Sequence, residues 1–432
     1  AAAKTDSLTL AGNITVSNLF TVSDGATVTN RVRVLSSTVG TARTITAASI
    51  STSNSDWQDI TGAGAASWDM SADTGGSGNC GGNSMKALGD AAFTTAATQT
   101  ANGTTSFSWS NAARWTSRVP LPQDNVVVNN AFGTSQTVTI DMPRVGASVD
   151  FTGATWTTAL TLSQSSAWGN FGSLTLISGL TVTGSGQITL GSRTNYNIHT
   201  FGIKLGTISL FSSGATATLL SNFNISSFQC RASFDANGFT VTMAGSVDFV
   251  VQTVSRTVNM GGGTWTVNMS TGGGTFWNSN VSTLTLNAQG SLIKITTPDN
   301  NNYNFSGGGR TFANFWLNTN TRTGSVSILG SNTYADFKDD GTAAHSILFT
   351  AGSTHTFTTF TVSGTAGNLI TINSTTTGTH ALTKAGGGTI SSDYLNMLHS
   401  VARPWCGASG ADTWYAGVNS TDNQAVATAG SG

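Results

Sequence analysis

The chain contains no glutamate: all 19 of its acidic residues are aspartate. Lysine is scarce too, and charged residues of both signs make up only 9% of 432 residues. Glutamate and lysine are good helix formers, whereas Asp, Asn, Gly, Ser and Thr favour turns and strands. Their imbalance argues against helices along nearly the whole length. The best helical candidate, Asn83 to Ala92, is short and interrupted by Gly89. The formal net charge is −1, with no basic stripe to neutralise phosphates, which argues against nucleic-acid binding. No apolar run approaches the ~18 residues of a membrane helix, so no membrane insertion is expected. Cys80, Cys230 and Cys406 are an odd set with no CxxC or Cys/His spacing, so neither zinc nor a disulfide framework is expected. They read as buried or unpaired thiols, one long-range disulfide being the alternative. No cofactor is implied.

Low charge does not make the chain disordered. It holds 21 Phe and 11 Trp beside abundant Val, Ile and Thr. Those residues are arranged as one short strand written repeatedly. Leu174-Thr175-Leu176, Ile188-Thr189-Leu190, Phe239-Thr240-Val241-Thr242-Met243, Trp265-Thr266-Val267-Asn268-Met269 and Leu284-Thr285-Leu286 alternate apolar with polar. A period of two buries one face and wets the other. Many such strands at short spacing, separated by glycine-rich turns, predict a repetitive β architecture.

The strongest internal repeat joins the two ends. Residues 30–60 and 368–397 share an opening Asn, an alternating strand, a Ser-[Ser/Thr]-Thr-x-Gly-Thr turn (Ser36 to Thr41; Ser374 to Thr379) and a Ser-Asp-aromatic step. That step is Ser55-Asp56-Trp57 in one copy and Ser392-Asp393-Tyr394 in the other. Residues 1–60 therefore read as the terminal part of a first module, and 61–108 as a Gly/Ser/Thr/Ala-rich linker or excursion. Residues 109–425 read as a complete module entered through Arg118-Val119-Pro120-Leu121-Pro122-Gln123-Asp124, and 426–432 as a tail. Glycine triplets at 261–263, 272–274, 307–309 and 386–388 lack the Lys and following helix of a phosphate loop and read as turns.

A strand this short cannot bury its own apolar face. Stacking it on the equivalent strand of the next coil, ~4.8 Å away, pairs the backbone and builds a continuous core. The expected fold is therefore all-β, a parallel right-handed β-helix (β-solenoid) with a partial N-terminal module. At about 20–25 residues per coil the main module would hold on the order of 13–15 coils, about 60–75 Å of rod. A β-sandwich array is the alternative, but sandwiches need hairpins and Asn237-Gly238 is the clearest hairpin-type pair. Open solenoid ends need covering. Strand-like sequence starts at Ser7 with no amphipathic helix before it, so Leu8, Leu10, Ile14 and Val16 are expected to meet another copy of the chain.

The strings RVPLPQDNVVV (Arg118–Val128), TVTIDMPRVGASVDFTGAT (Thr137–Thr155), GSLTL (Gly172–Leu176), WYAGVNSTDN (Trp414–Asn423) and Ser55–Ser84 resemble modules of predicted β-helix proteins of bacteriophage and environmental viral genomes. The resemblance covers most of the chain. It implies a virion-associated or surface structural protein and carries no catalytic residues.

Three functions follow as expectations. The first is a non-enzymatic structural solenoid of a virion (fibre, spike or decoration) or extracellular filament, with other copies of itself as partner. The second is an adhesin or receptor-binding tail protein that holds a cell-surface glycan on the aromatics Trp405, Trp414 and Tyr415. The third is a polysaccharide depolymerase built on Asp336, Asp339 and Asp340 with Lys338 and His345 nearby, since β-helix glycosidases and lyases use paired carboxylates. Asp-Asp-Gly is equally an ordinary turn, and Asp is sparse on the coils before it, so no catalytic residue is expected.

Overall fold

The computed structural model describes residues 7–22, 30–85, 92–165, 167–250, 254–269, 272–297, 299–318, 320–403 and 413–422. The chain divides into two compact units, Ala1–Ser221 and Asn222–Gly432. Each is a parallel β-solenoid, and the only helical element among the described residues is the single 3₁₀ turn Ala112–Arg114. The described part of the helical candidate, residues 83–85, is extended, with Ser84 bridged to Thr61.

In the first unit the chain begins by alternating between two sheets. One holds strands Ser7–Leu10, Val32–Ser36, Ser55–Gln58 and Ser77–Asn79, and the other Ile14–Val22, Arg43–Thr52 and Ile60–Gly64. Leu8 pairs with Val34, Val34 with Trp57, and Trp57 with Asn79. Inward positions Val34, Ile45, Trp57, Ile60, Trp68 and Met70 form one buried cluster. The Trp57 and Trp68 rings meet edge to face at 6.1 Å, an arrangement that suits the ring quadrupoles. Further along the unit each coil gains a third side. Val126 pairs with Val149, Val149 with Leu174 and Leu174 with Ile198 on one face. Val138, Leu162 and Val182 stack on a second. Trp168, Ile188 and Ile208 stack on a third.

The second unit is built around aromatic ladders. Phe315, Phe337 and Phe360 are register partners on successive coils, their rings stacked at 5.1 and 5.5 Å. Phe312, Tyr334 and Phe357 form a second column at 5.6 Å per step. Parallel in-register pairing repeats the same position at nearly the strand spacing, which is also a favourable offset-stacking distance. On the outer face Lys294, Trp316 and Lys338 are register partners. The two ammonium groups lie 4.2 and 4.3 Å from the indole, a cation–π sandwich.

Asn237-Gly238 adopts positive φ at both residues (50° and 79°) yet makes no hairpin. Phe223 and Val241 on either side of it pair parallel, so the turn is a corner of the coil.

Phe337 touches the ladder above, the ladder below and the neighbouring column. Its truncation to Ala is expected to cost about 3–5 kcal/mol. Because each coil depends mainly on its neighbours, hydrogen exchange should accelerate first on strands Thr311–Leu317 and Thr354–Val362. Unchanged exchange there would contradict the nearest-neighbour description.

Candidate functional site

The acidic segment lies on strand Thr333–Asp339, where alternation sends neighbouring side chains to opposite faces. Asp336 points outward and accepts a hydrogen bond from the Thr359 hydroxyl. Asp340 is also half-exposed, 3.1 Å from the Asn318 amide nitrogen and 3.9 Å from Lys338 Nζ. Asp339 is buried on the other face. It accepts from the Gly341 N–H at 2.8 Å and lies 2.6 Å from His345 Nε2. His345 Nδ1 is 2.8 Å from the Ala343 carbonyl. Both ring nitrogens therefore lie within hydrogen-bond distance of oxygens, an arrangement that favours the imidazolium. Burial opposes that charge, but the hydrogen bond and charge of Asp339 outweigh it and raise the His345 pKa above the usual value. The structure thus joins Asp339 to His345 and separates it from Asp336 and Asp340. The joined pair locks a turn.

The C-terminal aromatics separate as well. Trp414 is half-buried on strand Thr413–Tyr415, paired with Ile390, its ring 5.6 Å from Phe360 and its N–H donated to the Arg403 carbonyl at 3.0 Å. It extends the core. Tyr415 is 58% exposed. Trp405 and Cys406 lie outside the described residues. Cys80 and Cys230 are free and buried, and burial pushes both thiols up to about 12, so neither is a ready nucleophile. Among the described residues no three His, Cys or Asp side chains group as metal ligands.

Leu8 and Leu10 lie on Ser7–Leu10, and Ile14 and Val16 on Ile14–Val22. Leu8 is 37% exposed, Leu10 is buried, and Ile14 and Val16 are half-buried. Among the described residues each of these strands pairs on one side only, with Val32–Ser36 and Arg43–Thr52 respectively.

The most developed polar cluster was not legible in the sequence. Asp56 is buried between two guanidinium groups, Arg31 Nε at 2.8 Å and Arg144 Nε at 2.7 Å. Burial alone would raise its carboxyl, but Arg144 and Arg31 outweigh burial and hold it below the usual carboxylate range. Arg31 also donates to the carbonyls of Ser55, Gly75 and Gly76. Nearby, Asp59 accepts from Arg193 Nη2 at 2.6 Å and from the Gly40 N–H at 2.9 Å. The Gln123 amide continues the strand ladder: its oxygen accepts from the Asn79 N–H and its nitrogen donates to the Ser77 carbonyl, both at 2.9 Å. Asp124 accepts from the N–H groups of Ala97 and Leu121 and from Arg118. Together these residues join segment 31–84 to segment 118–193. The available signal was charge in a nearly uncharged chain: an Asp at an inward strand position needs a cationic partner.

The repeated Ser-Asp-aromatic step accordingly takes two forms. Ser55-Asp56-Trp57 is wholly buried. Asp393 is solvent-accessible and accepts from the Asn419 backbone and side chain at 3.0 and 2.8 Å, while Tyr394 turns the backbone at φ 56°.

Asp56→Asn would leave two buried guanidinium groups without a counter-charge. It is expected to lower stability by about 3–5 kcal/mol, read as an earlier unfolding transition with faster proteolysis of segment 31–84. A variant as stable as the parent would show the carboxylate to be dispensable.

A second expectation concerns acid. His355 and His380 are buried beside Phe349, with ring distances of 4.7 and 5.0 Å. Burial lowers the His355 pKa to about 3, with a smaller effect from His380, and that of His380 to about 4, with a smaller effect from His399. Unfolded imidazoles titrate near 6.5, so below that pH the unfolded state binds more protons and stability falls. His345, whose pKa is raised, acts in the opposite sense: its contribution is present below 6.5 and lost as pH rises through its folded value. His355→Phe keeps a ring and removes the titration. It should reduce the stability lost between pH 7 and pH 4.5 by about 2–3 kcal/mol, measured by urea unfolding at the two pH values. An equal loss in both proteins would refute the assignment.

Comparison with protein-family profiles, with curated proteins and with solved structures finds no match for this chain.

Proposed function

We propose that this chain is a non-enzymatic structural β-solenoid, a stiff element of a virion (fibre, spike or decoration) or of an extracellular filament, acting through association with further copies of itself. The observation that carries the reading is how its chemistry-bearing side chains are used. The buried carboxylates of Asp56, Asp59, Asp124 and Asp339 are all committed to arginine, histidine or backbone partners that hold coils and turns in place. The aromatics are spent on continuous columns through successive coils. Such a ladder resists bending and local opening, which suits a load-bearing spacer.

The strand edges at Ser7–Leu10 and Ile14–Val22 support the choice of partner. Among the described residues each strand pairs on one side only, and the two expose Leu8 and Leu19, the latter 51% exposed. Parallel addition of a strand from another copy would satisfy both. The adhesin reading retains one favourable observation, the exposed Tyr415 ring beside Trp414.

Electron microscopy and light scattering of the purified chain test the assignment. Rods or filaments that grow with concentration are expected. The double variant Leu8→Lys, Leu19→Lys should disperse them while the circular dichroism spectrum stays β-rich. A parent chain that is monomeric at every concentration would overturn the self-association reading. Glycan binding lost on Tyr415→Ala would favour the adhesin. Reducing-end release from a polysaccharide would reject a non-enzymatic role.

A further inference from the structure

In the second unit His345, His355 and His380 all point into the core, on strands His345–Phe349, Thr354–Val362 and His380–Lys384. They are housed in two opposite ways. His345 sits on the Asp339 carboxylate, and this ion pair ties its turn to strand Thr333–Asp339. His355 is fully buried, and neither of its ring nitrogens has a hydrogen-bond partner. His380 meets only neutral hydroxyls, with Nδ1 2.8 Å from Ser374 Oγ and Nε2 3.1 Å from Ser400 Oγ. The Phe349 ring stands against both.

No counter-charge is available to these two rings. On Thr333–Asp339, Asp336 and Lys338 face outward and Asp339 is held by His345; Asp340 pairs outside with Lys338. On His380–Lys384, Lys384 Nζ donates to the carbonyls of Ala385 and Gly387. Arg403 on Ser400–Arg403 is exposed, and Asp393 is bound to Asn419. Strands Ile370–Ser374 and Leu395–Met397 carry no charge, and His399 next to them is a further base, 2.9 Å from Asn373 Oδ1. Arg322, which opposes the charge on His345, donates to the carbonyls of Asp299 and Ser325. A proton on His355 or His380 would therefore be an unpaired buried charge, which the closed coil does not tolerate.

We propose that the second unit carries an acid-operated break point: in mild acid the coils from Thr354 onward open while those up to Phe349 stay closed. Free imidazoles titrate near 6.5. Burial, and to a smaller extent a neighbouring imidazole, holds His355 and His380 below that value. As pH falls below about 6.5 both rings draw protons only in the open segment and so drive its opening, down to their folded values. His345 has the reverse sign. Burial opposes its charge but Asp339 outweighs burial, so its pKa is raised and its bond is fully present below about 6.5. The latch on one coil thus holds where the next coil fails, ten residues further on. Opening would uncover Tyr334, Phe337 and Phe349, which Phe357, Phe360 and His380 cover in the closed state. The device is independent of the self-association proposed above, whose strands belong to the first unit.

Hydrogen exchange of the full chain, read by mass spectrometry at about pH 8 and about pH 5 and corrected for the intrinsic exchange rate, tests the proposal. Opening of strands Thr354–Val362 through Ser400–Arg403 should become about 30-fold more frequent for each histidine, about a thousandfold for the two. Strands Thr311–Leu317 through His345–Phe349 should keep their protection. The double variant His355→Phe, His380→Gln, which cannot titrate at either position, should lose the acid response. In Asp339→Asn, which removes the latch, the opened segment should extend back to Thr333. The boundary is read in the parent chain and does not depend on either variant folding. Protection lost equally on both sides of Thr350, or an acid response unchanged in the double variant, would overturn the break point. An opened segment that stops at the same place in Asp339→Asn would remove His345 from it.

Discussion

Everything in this molecule depends on the parallel backbone ladder. A strand of three to five residues has too little surface to bury alone, and its edges are unsatisfied. Only when the next coil repeats the same positions about 4.8 Å away are both needs met. This constraint explains the composition. Val, Ile, Thr and Phe tolerate being placed on copies of themselves. Like charges would not, since a ladder of one charge repels itself at every step. The outer faces therefore carry Ser, Thr and Asn ladders such as Asn259 to Asn287, whose side chains meet at 2.8 Å.

Two of the charge clusters are compensated across coils or across segments. Lys294 and Lys338 are not adjacent in the ladder; Trp316 stands between them and offers a ring face to each. Asp56 likewise stands between Arg31 and Arg144. Both arrangements place a compensating group between two cations. In a chain with so few charges each of these is a deliberate junction, because an unpaired charge in the interior would cost more than any one coil contributes.

Much of the fold was legible in the sequence because its signal is local. Alternation in segments such as Ile188-Thr189-Leu190 identifies a strand without knowledge of its partners, and short spacing excludes long crossovers. What each strand stacks upon was not legible. The Phe315–Phe337–Phe360 column requires knowing which residue of one coil lies over which of the next, and coil lengths vary with the loops between strands. The same limit hid the candidate sites. The Asp336–Asp340 segment looked like one cluster, whereas the two-residue period turns Asp339 inward and leaves the others outside. The Ser-Asp-aromatic repeat predicted equivalence, yet Asp56 and Asp393 differ because only Asp56 lies beside two arginines.

The placement of Asp56 has a consequence for how the chain is made. Its two cationic partners are 25 residues before it and 88 residues after it. During synthesis from the N-terminus the early coils can form with Arg31 alone, but the carboxylate is neutralised from both sides only once Arg144 has left the ribosome. The Gln123 amide that extends the Ser77–Asn79 ladder arrives at nearly the same stage. Full compensation of the buried Asp56 carboxylate therefore waits on a residue 88 positions further along the chain.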